Sequence, residues 1–437
     1  MTQLARHRHA KEVREKLPAR LQPDKLPHVW KMARTVPADV LETPPMKILH
    51  VLSDIDTESG GVAAAACGMA EAVAARGHDV AIACLNRSGT PLHPQGVAVK
   101  SFAPDRNSSL LPSAKLREYL QENIGQFAVV HTHGVWQHPG HYAAAAARKC
   151  RIPYILAPHG MLDAGSLAMG RRWAKSIAWF LWDSTMVNRA AAIHCLNNAE
   201  IRCSPALANT TNAVIGNGIP SAVLGNAPPR GLWRQEMKTI LGDTSRPIAL
   251  FLSRIHPKKG LERLLPFWPD VLKRHPDLLL VIAGTGDPAD LARVRDLVHG
   301  RNLQSVVFLA GQLSGPTKWQ ALTDADIFIL PSYQEGFSLA ITEAIAVGLP
   351  VVITRECNFD EVERFHAGVV IDNGDMAAFA QAAVRLIDDA ADRRSMAQNG
   401  RMLVQQRFTI EATARKLEML YEAVAQNTGI PAGVLPE

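Results

Sequence analysis

The sequence predicts an α/β protein of two parallel-sheet domains facing a common cleft. Three observations carry this expectation. Apolar strand-like runs alternate with helical stretches, first over residues 46 to about 215 and again from Pro247 to about Arg407. At 437 residues the chain exceeds what one hydrophobic core usually serves. Polar, glycine-bearing and cationic loops recur just past the predicted strands, where open α/β sheets bind their ligands.

In chain order, residues 1–45 stand apart. They hold nine Lys or Arg against five Asp or Glu, with six prolines, and nothing there alternates like a strand. A short charged helix near His9–Leu17 and an irregular basic arm are expected, outside the folded domains. A first domain is expected over 46–228. Met46–Leu52 reads as a strand, and Gly60 and Gly61 open a helix from Val62 to Arg76 that Gly77 stops. Asp79–Cys84, Phe127–Val130 and Tyr154–Ala157 read as further strands, with a helix through Tyr142–Arg148. The Pro-, Gly- and Ala-rich segment from Asn217 to Arg246 is the candidate linker. A second domain over 229–407 has expected strands Ile248–Ser253, Leu278–Ala283, Val306–Ala310, Ile327–Leu330 and Val351–Thr354. In the remainder, 408–437, a last helix is expected over about Ile410–Ala425.

Composition narrows the partners. Apolar residues make up 47% and charged residues 20%, as in a globular protein. A net charge of +6 suits an anionic partner such as a nucleotide diphosphate or a phospholipid surface. No basic stripe interleaved with aromatics supports nucleic acid. The six cysteines form no CxxC pair, so reduced thiols in a cytoplasmic setting are expected and no metal site is called for. No run approaches the ~20 apolar residues of a membrane span. Arg171 to Trp182 gathers three tryptophans beside three cations; Trp173, Ile177 and Phe180 share a helical face. Core packing is the simpler reading, and contact with anionic lipid at the inner face of a membrane is the alternative.

Two segments carry the chemistry. Glu335 and Glu343 are separated by seven residues just after the strand Ile327–Leu330, with Gly336 in a turn and a helix expected from Phe337. Free N–H groups of Phe337, Ser338 and Leu339 could hold an anion, with a carboxylate on either side. Upstream, Arg254, Lys258, Lys259 and Gly260 follow the strand Ile248–Ser253 and precede a helix, an arrangement suited to a diphosphate. His159, between a strand and Gly160, could hydrogen-bond a sugar hydroxyl or a phosphate when neutral. His131 reads as a buried structural histidine; His133 stays open between the two roles. Two Asp-x-Asp patterns could bind a metal: Asp324 and Asp326 precede their strand, away from the cleft, whereas Asp54 and Asp56 follow theirs, on the cleft side.

In this order and spacing, with Gly60-Gly61, His159-Gly160-Met161, Asn217-Gly218-Ile219 and Ala283-Gly284-Thr285-Gly286, the chain resembles the family 4 retaining glycosyltransferases of the GT-B fold, from about Lys47 onward. The resemblance implies two facing Rossmann-like domains, the first for the acceptor and the second for the nucleotide sugar. It further implies a C-terminal helix that packs back on the first domain. It implies transfer of a sugar, with retention and without a metal or other cofactor, from a nucleotide-diphosphate sugar to a glycan or lipid-linked acceptor in cell-surface polysaccharide synthesis. Catalytic roles fall on Glu335, His159, Arg254 and Lys259. Donor binding falls on Gly60, Gly61, Arg254, Lys259, Gly336, Phe337, Ser338, Leu339 and Glu343, with Glu343 on the ribose. A sugar-nucleotide epimerase, or a non-catalytic nucleotide-sugar-binding subunit, is the alternative.

Overall fold

The computed structural model describes residues 44–55, 61–87, 92–106, 108–168 and 172–436. The arm and the helix expected near His9–Leu17 lie outside them, as do Gly60, Asp56 and Arg171.

Two parallel sheets organise the chain. The first holds β1 (Lys47–Leu52), β2 (Asp79–Leu85), β3 (Ala98–Phe102), β4 (Val129–His133), β5 (Tyr154–Ala157), β6 (Ala192–Cys195) and β7 (Asn212–Val214) in the order β3-β2-β1-β4-β5-β6-β7. The second holds β8 (Ile248–Leu252), β9 (Leu279–Ala283), β10 (Val307–Gly311), β11 (Ile327–Leu330), β12 (Val351–Thr354) and β13 (Gly368–Ile371) in the order β10-β9-β8-β11-β12-β13. Several inner strands, such as Ile327–Leu330, are apolar along their whole length because helices cover both faces. Each order reverses at one place, between β1 and β4 and between β8 and β11. A crevice must open there at the carboxyl ends of the strands.

The element expectations hold with local shifts. β4 starts two residues later than expected and runs on through His131, Thr132 and His133, all buried. Buried polar side chains disguised the strand's carboxyl half. The segment Asn217 to Arg246 is not a loose linker. Trp233 is 2% exposed, and Arg234 is buried, donating to the Asp324 carbonyl and to the Asp326 carboxylate at 2.8 Å. Asp324 also accepts the Arg234 N–H at 2.8 Å, so these two aspartates staple the segment to β11.

The chain crosses between the sheets twice, side by side. Ile219 donates to the Phe408 carbonyl at 3.0 Å, and Ile410 donates back to the Ile219 carbonyl at 2.8 Å. Gly218 sits where a Cβ would lie 2.4 Å from the Ile410 Cα. The helix Ile410–Ala425 then packs on the first sheet's side of the molecule, burying Leu417, Leu420 and Tyr421 among residues of β1, β4 and the helix Gly61–Ala75. Among the described residues no helix is long and apolar enough to cross a membrane.

Candidate functional site

The two loops at the second reversal point are locked backbone to backbone. Gly260, at φ 75°, stands where a Cβ would lie 1.9 Å from the Pro331 carbonyl oxygen. Only glycine fits there, on both conformation and space. Gly284, at φ 145°, makes the same allowance for the Ser253 carbonyl, seating the turn that carries Arg254. Tyr333 donates its N–H to the Lys258 carbonyl at 2.7 Å. The Arg263 guanidinium donates to the carbonyls of Pro331 and Ser332 at 2.7 and 3.0 Å and stacks 3.9 Å from the Tyr333 ring centre. The loop bearing Glu335 is thereby fixed to the loop bearing the cations.

The charges follow from that lock. Lys259 pairs with Glu335 at 2.6 Å, and the Ser332 hydroxyl donates to the same carboxylate at 2.6 Å. Both members of the pair are largely buried, so the contact is shielded from water. Lys259 keeps two of its three donors for a ligand. Lys258 donates to Gln334 at 3.1 Å. Its pKa is lowered, first by loss of water and then by Lys175 of the first domain, with Lys259 and Arg254 adding to it. Arg254 is exposed and, among the described residues, has no side-chain partner. Arg254, Lys258 and Lys259 therefore gather here with Lys175, and the carboxylates of Glu335 and Asp163 offset them only in part. That imbalance suits a dianion.

Across the crevice, Gly160 at φ 73° meets Gly336 so closely that a Cβ would lie 2.9 Å from its Cα. Asn197 donates to the Gly336 carbonyl at 2.7 Å, and Gln334 donates to the Ser166 hydroxyl at 2.6 Å. Asn358 donates to the Glu335 carbonyl at 2.7 Å. Buried Glu200 accepts the N–H groups of Gly160 and Leu196 at 2.5 and 2.8 Å, and burial pushes its pKa up to about 7. His159, at φ 54°, begins the Gly160 turn; its Nε2 lies 3.0 Å from His133 Nδ1, and burial holds its pKa down at about 3. It is a neutral imidazole.

The structure brings Glu335, Gly336, Lys259 and His159 to one place and corrects several expectations. The helix after Glu335 is Leu339–Ala346, not one from Phe337, because extended Ser338 is its cap and takes the Ile341 N–H. Phe337 packs its ring 5.3 Å from Phe359 and 5.7 Å from Phe408, a structural role for that side chain. Glu343 is paired with Lys318 at 2.5 Å, and burial raises its pKa against that lysine's pull. The helix after the basic turn is only Leu261–Leu264, so side-chain cations rather than a helix terminus supply the positive field there. Gly61 opens its helix with nothing within 4 Å of a would-be Cβ. Asp54 pairs with Arg87 at 2.8 Å.

Of the face shared by Trp173, Ile177 and Phe180, the two described side chains do not form core. Phe180 is 83% exposed and Ile177 is 49% exposed, while the Trp173 side chain lies outside the description. A single π-helical turn over Trp179–Asp183 re-phases the helix, turning Asp183 inward to accept the Trp136 N–H at 3.1 Å. Sequence reasoning missed Arg263, Lys318, Ser332, Asn197 and Glu200. One signal was available: Asn197 and Glu200 have the spacing of a capping box, and Asn197 does cap, accepting the Glu200 N–H at 2.8 Å.

Comparison with known proteins agrees with this architecture. Residues 60–218 match a family model described as a glycosyl transferase 4-like domain, and residues 234–403 match glycosyl transferases group 1. The chain belongs with the GT-B glycosyltransferases. An uncharacterized glycosyltransferase of Methanocaldococcus jannaschii is 25% identical over 85% of this chain and 96% of its own length. Glycogen synthase of Mycobacterium tuberculosis is 26% identical over 86% and 94%. The crystal structure of Anabaena HepE in complex with UDP and glucose superposes with a TM-score of 0.70 at 18% identity, covering 86% of this chain and 100% of that one. Sucrose-phosphate synthase from Thermosynechococcus elongatus gives 0.67 at 20% identity, covering 88% and 100%. These two structures share the fold.

Proposed function

We propose that this glycosyltransferase moves a sugar, with retention, from a nucleotide-diphosphate sugar to a glycan or lipid-linked acceptor in cell-surface polysaccharide synthesis. The observation that carries the reading is the exposed, unpaired Arg254 beside Lys258 and the Lys259–Glu335 pair, at the strand-order reversal of the second sheet. As the bond between the anomeric carbon and the phosphate oxygen breaks, negative charge builds on the diphosphate. In this reading Arg254, Lys259 and the N–H groups opening the Leu339–Ala346 helix receive it, with Gly336, Phe337 and Ser338 shaping the approach. Glu335 serves the sugar, which gains positive charge, and Glu343 with Lys318 serves the ribose. The HepE complexes with UDP and with UDP-glucose lend support to a nucleotide-sugar donor.

The acceptor is assigned to the first unit, residues 46–228, with Gly60 and Gly61 of that unit reaching the donor and His159 the reacting sugar. A pocket of about 240 Å³ beside Asp54, Arg87, Gln137 and His133 offers polar groups for sugar hydroxyls. Exposed Ile177, Phe180 and Leu181 suit contact with the membrane that would hold a lipid-linked acceptor. In this reading the cations take the role a metal would otherwise fill, and catalysis survives chelation. A nucleotide-release assay over a panel of nucleotide sugars, with and without lipid-linked acceptors, tests the proposal. Release that depends on an acceptor supports it. Donor turnover with no acceptor marks an epimerase, and binding without release marks a non-catalytic subunit.

A further inference from the structure

Five histidines and one tyrosine run through the interior of the first domain in unbroken contact. His194 Nε2 lies 2.7 Å from the Ile215 carbonyl oxygen, and its Nδ1 lies 3.3 Å from His131 Nε2. His131 Nδ1 meets the Tyr421 hydroxyl at 2.8 Å, and that hydroxyl meets His50 Nε2 at 3.3 Å. His50 Nδ1 lies 3.0 Å from His133 Nε2, and His133 Nδ1 lies 3.0 Å from His159 Nε2. His50, His131, His133 and His194 are buried, on β1, β4 and β6, and Tyr421 is buried on the C-terminal helix.

The direction of this chain is fixed at one end. A carbonyl oxygen can only accept, so His194 must carry its proton on Nε2. A neutral imidazole has one donor and one acceptor, so His194 Nδ1 accepts from His131 Nε2–H. His131 Nδ1 then accepts from the Tyr421 hydroxyl, whose oxygen accepts from His50 Nε2–H. His50 Nδ1 accepts from His133 Nε2–H, and His133 Nδ1 accepts from His159 Nε2–H. Neutrality is secured by burial, which holds His50 at about 3 and His194 at about 4, and His131 and His133 well below the usual imidazole range. Every bond in the chain has one donor and one acceptor, with none left over. What remains is His159 Nδ1, a lone pair on a half-buried ring beside the Gly160–Gly336 contact.

We propose that this directional hydrogen-bond chain, running from the Ile215 carbonyl through His194, His131, Tyr421, His50 and His133, fixes His159 as the Nε2–H tautomer and so presents its Nδ1 as an acceptor for a hydroxyl of the bound sugar. The four inner histidines and Tyr421 are positioning residues, and His159 is the group that touches substrate. The assignment of that hydroxyl to a sugar rests on the transferase reading; the tautomer does not. A rival use of the same groups is a metal site, since one nitrogen each of His50, His131 and His133 lie within 4.8 Å of one another. The chain competes with it, because each of those rings has a single lone pair already accepting, and a metal would have to break those hydrogen bonds. A dication there would also lack any carboxylate among the chain's members to balance it.

The test is ¹⁵N NMR of protein labelled at histidine, read without substrate. The expected result is five neutral rings, each protonated at Nε2, with ¹⁵N–¹⁵N couplings across the His131–His194, His133–His50 and His159–His133 bonds. An Nδ1–H tautomer or an imidazolium among the five, absence of those couplings, or stoichiometric zinc with the N–H signals displaced would overturn the proposal. Tyr421→Phe supplies the functional arm. Removing the hydroxyl unlinks His131 from His50 and should lower kcat about fivefold to tenfold while leaving nucleotide affinity unchanged. A purely structural role for Tyr421 would instead lower stability with kcat unaltered in the folded fraction. His50→Phe, which severs His133 and His159 from the anchored end at similar volume, repeats the test should Tyr421→Phe not fold. Because the NMR arm needs no donor or acceptor, failure of the transferase reading would leave it standing.

Discussion

At the scale of single residues, the site is organised by which cations are free and which are spoken for. Arg254 is exposed and unpartnered, so Arg254→Ala should change stability by no more than ~0.5 kcal/mol. It should nevertheless cut turnover by ~10²–10³ and weaken nucleotide-diphosphate binding, as loss of one preorganised charge contact does. Lys259→Ala should do the same and also cost stability, because it strands buried Glu335 with only the Ser332 hydroxyl. Calorimetric titration with nucleoside diphosphates checks both; unchanged affinity in the two variants would remove the diphosphate cradle. The carboxylates should separate kinetically. Glu343→Gln is expected mainly to raise KM, since a ribose contact persists from ground state to transition state, whereas Glu335→Gln is expected mainly to lower kcat. Identical kinetic profiles would refute that division. Steady-state kinetics of Lys318→Met should follow Glu343→Gln, because that lysine is what holds the Glu343 carboxylate in place.

At the scale of elements, the site depends on two loops that touch through glycine. Gly260→Ala puts a Cβ against an immovable carbonyl and into a left-handed conformation, costing upwards of ~2 kcal/mol. Urea unfolding should show that loss. Nucleotide binding should weaken in the still-folded fraction, because the cation loop must move away from the Glu335 loop. Strands such as Tyr154–Ala157 and Ile327–Leu330 were legible because a doubly covered parallel strand is written as an uninterrupted apolar run. The carboxyl half of β4 was not, because His131, Thr132 and His133 end the apolar run; His131 is buried as expected, and the structure buries His133 with it. The motif residues Glu335, Lys259 and His159 could be read from local order and spacing. Their supports could not: Lys318 lies 25 residues before its partner Glu343, and Arg263 reaches 68 residues along the chain to Pro331. The apolar face bearing Ile177 and Phe180 read most simply as core but is exposed, because an apolar stripe does not by itself say what covers it.

At the scale of the whole molecule, the first domain carries a block of buried neutral histidines that makes its stability depend on pH. In the unfolded chain these rings take up protons near the ordinary imidazole value of 6.5, while in the fold His50 and His159 resist until about 3 and His194 until about 4. The unfolded state therefore binds more protons across that window. Stability is full above about pH 7 and falls as pH drops, by up to ~1.4 kcal/mol per pH unit for each such ring. Glu200 works the other way between the ordinary carboxylate value of 4.5 and about 7, where the fold holds the extra proton, and offsets one ring. Denaturant titrations from pH 8 to pH 5 should show a marked loss, and a flat profile would mean these rings are charged or solvated. The central claim is that the crevice between the sheets transfers a sugar from a nucleotide-diphosphate donor by charge built from Arg254 and Lys259. Release of nucleoside diphosphate from a nucleotide sugar, measured with and without a lipid-linked acceptor for the wild type and for Lys259→Ala, tests it most directly. The expected result is release that requires the acceptor and falls at least a hundredfold in the variant (about 10²–10³). Release indifferent to both acceptor and Lys259, or cleavage of glycosides in the absence of any nucleotide, would contradict it.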